Sequence, residues 1–244
     1  MSAGLGTGLA GMSAAAVISP MLIMFLNVPA YEAIGIALAS DVLASAVSAY
    51  EYGRQKNIDI KNGLIMLFTI MIFTLVGSAL SSNVENGTMG VFSVFMTLLM
   101  GIKFIVKPVM MTKEGMAAKD AKIRIIQSIF CGIIIGLICG FVGAGGGMMM
   151  LMILTTVLGY ELKTAIGTSV FNMTFTALVG AVSHFVIGGK PDMFLLIACI
   201  ISTLIFARLA AKFANIASAK TLNRALGVVL TILGAAMMCM KIFA

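Results

Sequence analysis

The apolar run Ile125–Leu158 contains the sequence Gly140-Phe141-Val142-Gly143-Ala144-Gly145-Gly146-Gly147. Three consecutive glycines disfavour a continuous helix, because each costs about 1 kcal/mol relative to alanine. The apolar residues beyond them, 148–158, would rise only about 16 Å as a helix, whereas the hydrocarbon core of a bilayer is roughly 30 Å thick. The run therefore predicts either a re-entrant hairpin or two spans, one of them short and tilted.

The composition of the chain places this broken helix in a membrane. Of the 244 residues, 61% are apolar and 10% are charged, against about 45–50% and 25% in ordinary globular proteins. The mean hydropathy is +1.12. A soluble domain of this size could not bury so much apolar surface, which excludes a soluble enzyme, a nucleic-acid-binding domain and a disordered tail. We expect a multi-pass protein of the inner cell membrane, with the lipid bilayer as its surroundings.

The order of apolar segments repeats along the chain. The segments are Gly4–Leu26, Ala33–Ala49, Asn62–Leu80, Met89–Val106, Ile125–Leu158, Thr164–Ile187, Met193–Ala211 and Leu222–Met240. A shift of 132 residues superposes Gly4–Leu38 on Gly136–Val170 without a gap, and nine positions agree. We interpret this agreement as an internal duplication, which is common in transporters.

The duplication predicts a first transmembrane repeat over 1–107, a basic cytoplasmic linker over 108–124 and a second repeat over 125–244. The front end of the first repeat is expected to be shortened, because nothing before Met1 matches Ile125–Ile135.

The loop charges indicate how the two repeats lie in the membrane. The loop 51–61 carries three basic residues and the next loop, 81–88, carries none. In the second copy the bias reverses: the loop 188–192 has only Lys190, whereas Arg208, Lys212, Lys220 and Arg224 flank the following loop. Because basic loops stay in the cytoplasm, equivalent loops are expected on opposite sides. The predicted fold is an all-α membrane protein of two inverted repeats, each with a glycine-broken or re-entrant helical element plus three transmembrane helices.

Several motifs of the second repeat resemble the TauE/SafE family of sulfite and sulfonate exporters. They are the run Gly143–Gly147, the sequence Ala165-x-Gly167-Thr168-Ser169, and His184 before Gly188, Gly189 and Asp192. The duplication and the length are also similar to that family, so the resemblance covers essentially the whole chain. It implies a secondary transporter that exports small organosulfur anions such as sulfite or short sulfonates. The first copy departs from the pattern, since Met12-Ser13-Ala14-Ala15 replaces the usual glycine-rich run.

The candidate binding residues form two half-sites, one from each copy. A helix that restarts after Gly147 would direct its free N–H groups and its positive end into a cavity, which suits an anion. The first half-site is predicted from Gly143, Gly145, Gly146 and Gly147 together with Thr168, Ser169 and Asn172. The second half-site is predicted from Ser13, Ser40 and Asp41. The alternative is that these small and polar residues serve only close helix packing and hydrogen bonds within a helix.

Two titratable residues are candidates for ion or proton coupling. Asp41 is the only acid deep within a predicted span, and intramembrane carboxylates often mark ion relays. His184 is the only histidine and belongs to the motif resemblance, although a histidine at the interfacial end of a helix explains it as well. It lies about 22 Å along the helix from Ser169, so a Ser–His catalytic pair is excluded there.

The remaining expectations concern chemistry and partners. With one histidine and few acids, no enzymatic activity, no cofactor and no metal site are predicted. The sequence has no ATP-binding motif, so an ion or proton gradient is expected to drive transport, unless efflux is simply facilitated. The alternative function is a soft-metal permease, because the chain has 21 methionines and thioethers bind Cu(I). The expected partners are a small anion and the bilayer, with no nucleic acid, and a homodimer is possible.

Overall fold

The computed structural model describes residues 2–81, 98–99, 102–103, 105–106, 108, 121–142, 146–188 and 191–243. Every regular element in those ranges is a helix, as predicted. The elements are α1 (Ser2–Ala10), α2 (Ala15–Leu26), α3 (Ala30–Arg54), α4 (Ile60–Ser81), α5 (Ala121–Val142), α6 (Gly146–Thr156), α7 (Leu162–Gly188), α8 (Met193–Ile216) and α9 (Ala219–Phe243). Within these ranges, three stretches are long and apolar enough to cross a membrane: Glu32–Arg54, Leu162–Val182 and Met193–Ile216.

The helix boundaries repeat together with the sequence. The helices α5, α6 and α7 end or begin about 132 residues after the matching ends of α1, α2 and α3, and α8 begins 133 residues after α4. The residues that follow α2 and α6 also agree, because Asn27 (φ 50°) and Gly159 (φ 64°) both adopt the left-handed conformation that ends a helix. The structure therefore contains the same helix order twice. One difference from the predicted domain boundaries is that α5 begins at Ala121, inside the predicted linker.

Each half contains an interrupted helix. The first break runs from Gly11 to Ala14, and Gly11 has a φ of 60°, which a side chain would make strained. The second break falls between Val142 and Gly146, and residues 143–145 lie outside the described part of the chain. The helix after each break is short, with 12 residues in α2 and 11 in α6, which is less than about 20 Å in length. Neither short helix can cross the hydrocarbon core by itself.

The glycines shared by the two copies are points of close helix packing. A Cβ placed on Gly4 would lie 2.5 Å from the carbonyl oxygen of Thr203 and 3.0 Å from the Cβ of Phe206, both on α8. A Cβ placed on Gly136 would lie 2.7 Å from the carbonyl oxygen of Ile70 and 2.8 Å from the Cβ of Phe73, both on α4. The pair α1–α8 and the pair α5–α4 thus pack in the same way, with backbones close enough to require a small residue.

The two central helices, α3 and α7, pack along each other in opposite directions. Leu38 near the start of α3 lies against Gly180 near the end of α7, with 3.0 Å from the leucine Cδ1 to a Cβ placed on the glycine. Tyr52 near the end of α3 lies against Gly167 near the start of α7. Because α3 and α7 occupy the same place in the two copies, equivalent helices run antiparallel here. The buried polar residues of the protein centre lie on this pair.

Candidate functional site

The two breaks meet at one point in the protein interior. A Cβ placed on Gly147, the second residue of α6, would lie 2.7 Å from the carbonyl oxygen of Gly11 and 3.0 Å from the backbone nitrogen of Ser13. The Ser169 hydroxyl lies 3.0 Å from the carbonyl oxygen of Gly11 and 3.3 Å from that of Gly147. The structure therefore brings Ser13, Gly147 and Ser169 together, and the Ser169 hydroxyl contacts both breaks.

The first break is closed by a carboxylate of the protein itself. Asp41 is fully buried. It accepts hydrogen bonds from the Ser13 hydroxyl (2.7 Å), the Ala14 N–H (3.0 Å) and the Ser45 hydroxyl (3.1 Å). These donors lie at the start of α2, where the helix dipole favours a negative charge. The first break thus binds an oxyanion, and that oxyanion is the side chain of α3.

The second break has a different residue at the equivalent place. A shift of 132 residues takes Asp41 to Met173 and Ser13 to Gly145. The Met173 thioether is buried, and its Sδ occupies the space where a side chain on Gly147 would begin. The position of α7 that corresponds to the carboxylate of α3 therefore supplies an uncharged side chain to the first turn of α6.

The Asn172 side chain lies beside this second break with one atom unpaired. Its Nδ2 is 3.7 Å from the Sδ of Met150, which belongs to the first turn of α6. Its Oδ1 lies 3.7 Å from a Cβ placed on Gly63 of α4, and among the described residues it has no hydrogen-bond donor. Burying an acceptor without a donor costs about 1–3 kcal/mol. The unpaired oxygen therefore marks a place that a donor on a bound molecule would stabilise.

Other predicted site residues lie away from the junction of the breaks or use their polar groups elsewhere. The Ser40 hydroxyl donates to the carbonyl oxygen of Ile36 within its own helix, at 2.8 Å. The Thr168 hydroxyl accepts the N–H of Asp59 at 3.1 Å, near the start of α4. Gly146 is the first residue of α6 and lies next to Gly147. Gly143 and Gly145 lie outside the described residues, and so does the side chain of His184, whose backbone belongs to α7.

A polar cluster that the sequence analysis did not identify joins the two halves at one end. The Asp59 carboxylate accepts hydrogen bonds from the Tyr160 hydroxyl at 2.8 Å and from the Asn62 amide at 2.7 Å. Asn57 donates to the side-chain oxygen of Asn215 at 2.6 Å. We call the contacts of Asp59 with Tyr160 and Thr168 the first clasp. The available signal was a helix-capping spacing, since Asp59 caps α4 three residues before Asn62.

A related contact exists at the opposite end of the central helices. The Asp192 carboxylate caps α8 by accepting the N–H groups of Phe194 and Leu195, and the Asp192 N–H donates to the Glu32 carboxylate at 2.7 Å. Asp59 and Asp192 lie 133 residues apart, and each caps the fourth long helix of its copy. We call this contact the second clasp. The first clasp contains the buried Tyr160, whereas the hydrogen bonds of the second are exposed.

Comparisons with known proteins identify relatives along the whole chain. A family model described as "Sulfite exporter TauE/SafE" matches residues 1–237. The chain is 22% identical over 213 residues to the probable membrane transporter protein YdhB of Bacillus subtilis, covering 87% of this chain and 86% of that protein. It is 24% identical over 253 aligned residues to the probable membrane transporter protein YunE of the same organism, covering 98% and 92%. It is also 27% identical over 154 residues to the probable membrane transporter protein MJ0441 of Methanocaldococcus jannaschii, covering 62% and 55%. No solved structure gives a significant match.

Proposed function

The chain belongs to the TauE/SafE family of membrane transporters, and from that premise we propose that it exports a small organosulfur anion, such as sulfite or a short sulfonate, by alternating access. The observation that carries the proposal is the second break. There the first turn of α6 lies beside the uncharged Met173 and the unpaired oxygen of Asn172. The N–H groups and the positive dipole end of such a helix attract anions. The binding residues are Gly146, Gly147, Ser169 and Asn172, with Gly143, Gly145 and Thr168 next to them in the chain.

Two inverted repeats provide the mechanism. The antiparallel course of α3 and α7 supports inversion, because these helices occupy the same place in the two copies. The reversed loop charges support it as well. In inverted-repeat transporters the substrate binds near the midplane, and one repeat moves against the other to expose the site to either side. The junction of the two breaks, at Gly11 and Gly147, is the fixed point about which this movement takes place.

The two clasps act as gates in this mechanism. The first clasp lies near the basic loop with Arg54 and Lys56, and the positive-inside rule places that end in the cytoplasm. Its hydrogen bonds include buried groups, and the second clasp is exposed to solvent, so the structure resembles a state closed toward the cytoplasm. Opening toward the cytoplasm separates Tyr160 and Thr168 from Asp59. The second clasp then becomes the buried one.

Asp41 couples transport to protons in this proposal. It is a fully buried carboxylate, and its three hydrogen-bond donors include the backbone of the break itself. Protonation would weaken those bonds and alter the break, which links the charge of Asp41 to the geometry of the neighbouring site. Any part for His184 in the coupling is proposed from the family motif alone.

The test is solid-supported-membrane electrophysiology on purified proteoliposomes from the inner-membrane fraction. The panel contains sulfite, sulfate, thiosulfate, short sulfonates and carboxylates, each with and without a pH gradient. We expect a saturable current for an organosulfur anion that depends on the gradient. Folded protein that gives no current and no uptake of isotopically labelled anions would overturn the proposed function.

A soft-metal permease is the second candidate, because two thioethers lie at the second break. The Sδ of Met150 accepts a hydrogen bond from Asn172, and the Sδ of Met173 lies against Gly147. Thioethers are ligands for Cu(I), whereas the described residues contain no group of three His, Cys, Asp or Glu residues suited to a metal. Uptake of Ag⁺ by proteoliposomes that is lost in Met150→Leu would favour this candidate over the anion exporter.

A further inference from the structure

Two equivalent positions of the repeat differ in charge, and the difference decides which break can accept an external anion. We propose that Asp41 permanently fills the first break with the protein's own carboxylate, and that Met173 keeps the second break free, so that each chain binds one transported anion, at α6. The inference rests on the proposed export of an anion. It adds a residue that determines specificity and a stoichiometry.

The equivalence of the two positions follows from the helix boundaries. Asp41 lies in α3 and Met173 lies in α7, at the same distance from the start of each helix and in the same order after the preceding short helix. Both side chains are buried, and both reach the first turn of the short helix of their own copy. Asp41 contacts Ala14, and Met173 contacts Gly147.

The first break shows how this backbone arrangement holds an oxyanion. The two oxygens of Asp41 take the hydroxyl of Ser13 and the backbone N–H of Ala14 at 2.7 and 3.0 Å, which are lengths typical of charge-assisted hydrogen bonds. A second anion at this break would meet a buried negative charge and would find these donors occupied. Repulsion of like charges in a poorly polarisable interior is strong. The first break therefore excludes the substrate.

The second break keeps the backbone donors and lacks the charge. The equivalents of Ser13 and Ser45 are Gly145 and Ala177, so the hydroxyl donors of the first break are replaced by small residues. The space that the carboxylate would take holds the thioether of Met173, an unbranched and flexible side chain that can change rotamer. An external oxyanion can thus take the place that Asp41 takes in the other copy.

The unpaired oxygen of Asn172 points independently to a ligand at this place. Asn172 is fully buried and adjacent to Met173, and its amide lies against Met150 in the first turn of α6. Its Oδ1 has no donor among the described residues. A bound molecule that carries both an oxyanion and an O–H or N–H group satisfies the helix and the amide together. Hydrogensulfite and hydroxy- or amino-substituted sulfonates belong to this class.

The test compares Met173→Asp with Met173→Asn, because the two side chains have the same shape and differ in charge. Purified proteins are titrated with sulfite and with an aminosulfonate, and ligand-induced thermal stabilisation is measured. The Asp side chain should cap α6 as Asp41 caps α2, so the protein should fold, as size-exclusion chromatography and circular dichroism will verify. We expect at least tenfold weaker binding to Met173→Asp than to Met173→Asn.

A second measurement does not depend on either variant. Equilibrium dialysis of wild-type protein with ³⁵S-labelled sulfite should give one bound anion per chain at saturation. Two bound anions, or equal affinities of Met173→Asp and Met173→Asn, would overturn the inference and leave the proposed export intact. Wild-type protein that no organosulfur anion stabilises would overturn the proposed function and the inference with it.

Discussion

The Ser169 hydroxyl lies 3.0 Å from the carbonyl oxygen of Gly11, a residue 158 positions earlier in the chain. The same hydroxyl lies 3.3 Å from the carbonyl oxygen of Gly147. A hydroxyl has one hydrogen to donate, so it can bond to only one of the two breaks at a time. Ser169 therefore links the break of one repeat to the break of the other through an exchangeable bond.

Replacing Ser169 with alanine tests this link. The equivalent residue of the first copy is Ala37, so alanine is compatible with the helix at this position. We expect the free energy of unfolding to fall by about 1 kcal/mol, because one buried hydrogen bond is lost, and the transport rate to fall about tenfold. Thermal unfolding and proteoliposome currents measure the two effects separately. Ser40→Ala is the matched control, since its hydroxyl bonds only within α3. Full transport by Ser169→Ala would show that the link has no part in the cycle.

Enlarging Gly147 should abolish transport and leave membrane insertion intact. A side chain there would collide with the carbonyl oxygen of Gly11, the backbone nitrogen of Ser13 and the thioether of Met173. Gly147→Val is expected to show less than a tenth of wild-type transport at normal membrane abundance, and we expect the same of Gly146→Val at the preceding residue. Gly53→Ala is the control, because a Cβ at Gly53 would make only an ordinary contact, 3.5 Å from Ile58. Transport by a well-folded Gly147→Val protein would exclude this junction as the binding site.

The sequence predicted the part of the architecture that depends on apolar runs and glycine spacing. The all-helical class was correct, and the shared glycines at positions 4 and 136 are indeed close packing points. The break of the first copy was harder to place, because the strongest signal, a row of glycines, is missing there. In its place Asp41 caps the new helix from α3, and such a long-range contact leaves no local pattern.

The candidate site was only partly predictable for a similar reason. Asp41 and Ser13 were identified from polarity, and the structure joins them by a hydrogen bond of 2.7 Å. Ser40 was identified by the same rule, yet its hydroxyl bonds within its own helix. Periodicity places a residue on a face of a helix without stating which neighbour covers that face. Met173 is apolar and attracted no attention, although its alignment with Asp41 was already present in the duplication.

Replacing Asp41 with asparagine should destabilise the protein and remove the pH dependence of transport. The carboxylate accepts three hydrogen bonds, from Ser13, Ala14 and Ser45. The NH₂ group of asparagine cannot accept, so at least one donor loses its partner, at about 1–3 kcal/mol. Transport measured from pH 5.5 to 8.5 gives the pH profile. Asp192→Asn is the control, because that side chain is exposed. An unchanged profile in Asp41→Asn would contradict the assignment of Asp41 as the coupling residue.

Weakening the first clasp should favour a state open toward the cytoplasm. Tyr160→Phe removes the hydrogen bond of 2.8 Å to Asp59 and retains the buried ring. The first clasp then loses about 1 kcal/mol, which corresponds to a several-fold shift between two conformations. A single cysteine at Asn62, a buried position beside the clasp, reports the shift in a background without the four native cysteines. We expect a membrane-impermeant maleimide to label it several-fold faster from the cytoplasmic side in Tyr160→Phe. Tyr50→Phe, at an exposed tyrosine of α3, should leave the labelling rate as it was. Equal rates in both variants would show that the first clasp is not a gate.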